Sequence, residues 1–131
     1  MKHLVGLLVV AVLVVPAYAQ TPDWMLALPA SSPIARTGPT MVYDSVRGKV
    51  VLVGGLDVGH VHLTDTWEYD GINGTQVTTV NSPSARSLHA MTYDRARGKT
   101  VVCGGWGGGH LGDTWEYDGV NWTQVTTVTA P

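Results

Sequence analysis

Two short glycine-rich stretches hold most of the side chains that could bind a ligand. Asp57-Val58-Gly59-His60-Val61-His62 carries a carboxylate and two imidazoles, and Trp106-Gly107-Gly108-Gly109-His110 carries an indole and a third imidazole. His-x-His is an acceptable spacing for metal ligands. Asp57, His60, His62, Trp106 and His110 are therefore the candidate binding residues. A plainer account competes with the metal: glycine-rich loops tolerate polar residues, and His60 and His110 are counterparts in a duplicated unit. Loops on adjacent β-units lie about 10–20 Å apart, too far to share one ion directly. No metal and no other cofactor is expected.

A second set recurs once per unit: Arg36 and Arg86, Glu68 and Glu116. Charges beside buried strands are costly unless paired. The expectation is a structural Arg–carboxylate pair in each unit rather than a catalytic acid and base. Catalysis usually needs one asymmetric site, whereas packing needs the same residue in every unit, so no catalytic residue is assigned. Asp65 and Asp113, each before a Thr, are expected to anchor turns. His89, near the start of a strand, is expected in the core. Cys103 is the only cysteine, so no internal disulfide can form, and its apolar strand makes it a small buried hydrophobe.

These residues sit on a repeat. Tyr43-Asp44 returns as Tyr93-Asp94, Arg47-Gly48-Lys49 as Arg97-Gly98-Lys99, and Gly54-Gly55 as Gly104-Gly105, each fifty positions on. After a two-residue deletion in the second loop, Asp65–Gly71 matches Asp113–Gly119. Each unit reads as four short strands. The first ends at Asp44 or Asp94, and the second is apolar and buried on both faces up to its glycines. The third alternates, with Trp67 and Tyr69 (or Trp115 and Tyr117) on one face, and the fourth is Thr-rich. Nothing after residue 19 has helical periodicity, so the expected class is all-β.

Two four-stranded units of about fifty residues, with paired glycines closing strand two and Trp115 and Trp122 with six residues between them, resemble the kelch repeat. The resemblance implies β-propeller blades stacked face on face, with Trp67, Tyr69, Trp115, Tyr117 and Trp122 between blades. Gly54, Gly55, Gly104 and Gly105 would allow close backbone approach. Unit one departs from the pattern: Gly74 stands where Trp122 does, and Pro39 stands where His89 does. The chain divides into 20–35, an N-terminal strand around Trp24 that resembles the last strand of a preceding blade; 36–85, repeat one; and 86–131, repeat two. Propellers typically need about 4–8 blades. Two blades and a strand therefore describe a partial propeller. It is a piece of a longer ring, a unit that assembles with copies of itself, or a small open arrangement.

Residues 1–19 have a basic start, an apolar run from Leu4 to Val15 and an Ala-x-Ala site, the parts of a secretory signal peptide. Cleavage would leave no membrane anchor, and the product would be secreted or periplasmic. Eight Lys and Arg against ten Asp and Glu give a net charge of −2, with no basic footprint for nucleic acid. The kelch resemblance implies a binding or scaffolding module for a protein or glycan. The other reading is part of an exported carbohydrate-active kelch enzyme, of oxidase or isomerase type. Some kelch enzymes are copper oxidases, but their Tyr, His and Cys set cannot be placed on this sequence.

Overall fold

The computed structural model describes residues 28–126. Residues 1–19, expected as a signal peptide, Trp24 and the final five residues lie outside that range. Ten strands, and no helix, occur among the described residues. The chain is all-β.

Sheet I contains β2 (Thr40–Asp44), β3 (Lys49–Val53), β5 (Thr66–Tyr69) and β6 (Gly74–Val77), antiparallel in the order β2-β3-β5-β6. Sheet II repeats it with β7 (Ala90–Asp94), β8 (Lys99–Cys103), β9 (Thr114–Tyr117) and β10 (Trp122–Val125). The registers are equivalent: Leu52 faces Trp67 as Val102 faces Trp115. Two short strands were not legible from patterning. β1 (Arg36–Thr37) pairs with β4 (Leu56–Asp57), tying the chain entering sheet I to the loop that follows β3.

Strands two stop at Val53 and Cys103, before the glycine pairs, because Gly54, Gly55, Gly104 and Gly105 all take positive φ. At Gly54 the need is also steric, since a Cβ would lie 2.4 Å from the Arg86 carbonyl oxygen. In the turns after β5 and β9, Asp70 and Asp118 each accept from the amides two and three residues on, which fixes the bend.

The core lies between the sheets. One face of sheet I supplies Val51 and Val53, and the facing side of sheet II supplies Val102, Tyr117 and Trp122, all with 1% exposure or less. Tyr117 and Trp122 stack at 5.0 Å and reach across: Tyr117 Oη donates to Glu68 Oε1 at 2.9 Å, and Trp122 Nε1 donates to Thr66 Oγ1 at 3.0 Å. Arg47 lies over the Tyr117 ring, 5.3 Å from its centroid.

Three packing expectations change here. Trp67 and Tyr69 are only half-buried, because they point to the outer face of sheet I, which no other sheet among the described residues covers. Cys103 is exposed on the outer face of sheet II for the same reason. Strands two are consequently covered on one face and open on the other.

Candidate functional site

The loop after β3 and the loop after β8 are joined by the segment that enters sheet II. Gly55 N donates to Arg86 O, and Arg86 N donates to Leu63 O, at 2.9 and 3.1 Å. Ser87 and Trp106 exchange both backbone hydrogen bonds at 2.9 Å. These bonds carry Asp57, His60 and His62 and, on the neighbouring sheet, Trp106 and His110 to one end of the molecule. The Asn81 amide donates to Asn121 Oδ1 in the β9–β10 turn, at the other end of sheet II.

Within the first loop the carboxylate is already engaged. Asp57 Oδ1 accepts from the amides of Gly59 and Val61, both at 2.8 Å, and so closes the turn that holds His60 at φ 63°. Asp57 shapes the loop. His60 is exposed, and His62, half-buried beside the Leu56 bridge, has an Nδ1 without a partner. In the second loop Trp106 is 41% exposed, and the His110 ring meets it edge-on, with centroids 4.9 Å apart. They line a shallow depression of about 380 Å³ with Leu88, Gly105 and Leu111. The described residues contain no group of three or more His, Cys, Asp or Glu side chains able to hold a metal ion.

Beneath this face lie the repeated charges, and their partners differ from expectation. Arg36 binds Asp65 with both nitrogens at 2.6 and 2.8 Å, and Arg86 binds Asp113 the same way at 2.8 Å. Each Arg also donates to the carbonyl of the first glycine of its pair, Gly54 or Gly104, at 2.9 Å. The same Asp accepts from the indole of Trp67 or Trp115 at 2.7 Å. The bonds from Arg86 hold the Asp113 carboxyl down to about 2 against the cost of its burial. Asp65 and Asp113, expected as turn anchors, are therefore the counter-charges. Glu68 and Glu116 pair with Arg47 and Arg97 at the opposite end, and Glu68 also takes Lys49 at 2.8 Å. Burial disfavours the Glu68 charge, but bonds from Lys49, Arg47 and Tyr117 outweigh it and keep its pKa low.

His89 is buried, with 4% exposure, and bonds to Thr40 of the neighbouring sheet. Burial, reinforced by the Arg86 charge, pushes its pKa down to about 4. The imidazole is therefore neutral and structural.

Of these, the Trp106–His110 pair is an exposed, preformed contact whose side chains make no hydrogen bond among the described residues. Sequence reading had both residues but not their contact, because the turn through Gly107–Gly109 decides it. In comparisons with known proteins, the chain matches no family model and no curated protein.

Proposed function

We propose that this chain is a kelch-type propeller module, exported to the cell exterior or periplasm, that binds a glycan through its loop face. The observation that carries the reading is the Trp106–His110 pair, an exposed indole braced edge-on by an imidazole at 4.9 Å. An indole face offers a flat apolar platform for the C–H bonds of a sugar ring, while the rigid aromatic loses little entropy on binding. Loops carried on a rigid sheet scaffold are the usual place for such sites. The repeated Arg–Asp pairs and paired glycines hold the scaffold and leave the loop tips free to vary. A protein ligand would use the same anchor, since Trp is enriched among residues that dominate protein interfaces.

The test is a panel of neutral and acidic glycans screened against the protein by calorimetry or ligand-observed NMR. Trp106→Ala should weaken the best binder by roughly 30-fold or more, as loss of an aromatic anchor does. His60→Ala should change affinity by less than about threefold. Binding that survives Trp106→Ala would overturn the assignment, and a panel with no binder would direct the search to a protein ligand.

A further inference from the structure

We propose that the two outer faces of the molecule bind each other head to tail, so that copies of this chain close into a ring. The packing of sheet I against sheet II carries this proposal, independently of what the loops bind.

The internal seam supplies the template. It joins the Val51, Val53, Thr66 and Glu68 side of sheet I to the Val102, Tyr117 and Trp122 side of sheet II. Because the units are repeats in equivalent register, each half of this seam occurs again on an open face. Trp67 and Tyr69 on the outer side of sheet I are the counterparts of Trp115 and Tyr117. Thr114 and Glu116 on the outer side of sheet II are the counterparts of Thr66 and Glu68. Arg97 holds Glu116 at 2.6 Å as Arg47 holds Glu68, so this carboxylate already stands where a second copy's Tyr69 hydroxyl would arrive.

Exposure fits the same contact. Met41 and Tyr43 are 61% and 57% exposed, beside a groove of about 320 Å³ lined by Val50, Leu52, Trp67 and Tyr69. Cys103 is exposed, whereas its counterpart Val53 is 1% exposed under sheet II. Pro33 lines the groove as its counterpart, the buried Pro83, precedes sheet II. The Tyr69 hydroxyl, which in the single chain donates to Gly71 O at 2.8 Å, would turn to the Glu116 carboxylate, so the two outer faces are complementary to each other and neither matches itself. A single heterologous contact of this kind closes into a ring when the rotation allows. Two to four chains would supply the roughly 4–8 sheets of a typical propeller.

The new seam differs from the internal one at one position. Gly74 replaces Trp122, and its amide donates to Ser31 O at 3.1 Å, where a Cβ would approach to 2.8 Å. The residue 29–33 segment occupies part of the indole's place, and Thr114 lacks the indole donor that Thr66 has. The intermolecular seam is therefore weaker than the internal one, and assembly depends on concentration.

The experiment measures native mass over a concentration series, with Met41→Glu and Thr92→Glu as variants. Each places a charge on an exposed position of one outer face, and neither lies in the internal seam. Wild type should give a discrete species of two, three or four chains, in which Cys103 reacts with a thiol reagent roughly tenfold more slowly than in either variant. Each variant alone should be a folded monomer by circular dichroism. An equimolar mixture should form a dimer and stop there, since one intact pair of faces remains. A wild type that is monomeric at every concentration with Cys103 freely reactive, an unfolded wild type, or a mixture that forms no dimer overturns the proposal.

Discussion

Arg86 and Asp113 show how one charge pair can organise a repeat. The side chain is 1% exposed, and its bonds go to Asp113, the Gly104 carbonyl, and the carbonyl and hydroxyl of Ser84. Removing one partner of a buried pair leaves the other uncompensated, at a cost of about 3 kcal/mol. Asp113→Ala is expected to lose that much stability, read as a lower urea midpoint at unchanged m-value. His89 gives a second prediction. Its pKa of about 4 in the folded protein lies below the ordinary 6.5, so the unfolded chain takes up a proton that the folded chain does not. The stability due to neutral His89 is complete above pH 6.5 and is lost as pH falls from there to about 4. The expected loss is on the order of 3 kcal/mol, read from urea midpoints across that range. His89→Gln should flatten the profile there. A further acid loss, from about 3.8 down to about 2, belongs to Asp113 and should remain.

The strands and their ends follow from different causes. Alternation places Val51 and Val53 inward on β3, but the end of β3 is decided by the backbone of another segment, the Arg86 carbonyl. Gly54→Ala combines φ 58° with a 2.4 Å clash against backbone, and is expected to destabilise by about 3 kcal/mol or more. Gly71→Ala shares a positive φ, 99°, but has nothing within 4 Å, so strain alone remains, about 1–2 kcal/mol. Thermal melts of the two variants would separate close approach from backbone strain. Equal losses would mean that the Gly54 contact relaxes freely.

Across the whole molecule, stability is concentrated in the seam between the sheets. Trp122 is fully buried, stacked on Tyr117 and hydrogen-bonded to Thr66. Trp122→Ala should cost about 3–5 kcal/mol. Trp67→Ala, on the half-buried outer face, should cost roughly 1–2 kcal/mol in the isolated chain. Comparing the two urea midpoints at low protein concentration tests whether the inner seam is the core. A larger loss at Trp67 would place it elsewhere.

The repeat made the all-β class, the four-strand order of each unit and the turns at Asp44, Asp70, Asp94 and Asp118 readable, because alternation and turn chemistry are local properties of the chain. The need for a carboxylate beside each repeated Arg was readable too, since buried charge demands a partner. Which carboxylate answers it was not. Asp65 is brought to Arg36 only when the loop after β3 folds back on Gly54, while Glu68 is drawn to the β2–β3 turn by Arg47 and Lys49. Trp67 and Trp115 are equivalent as letters, and differ as structure because one faces an open groove and the other a second sheet. Burial of a repeated residue depends on what stacks against it, and that is a property of the assembled sheets rather than of the repeat.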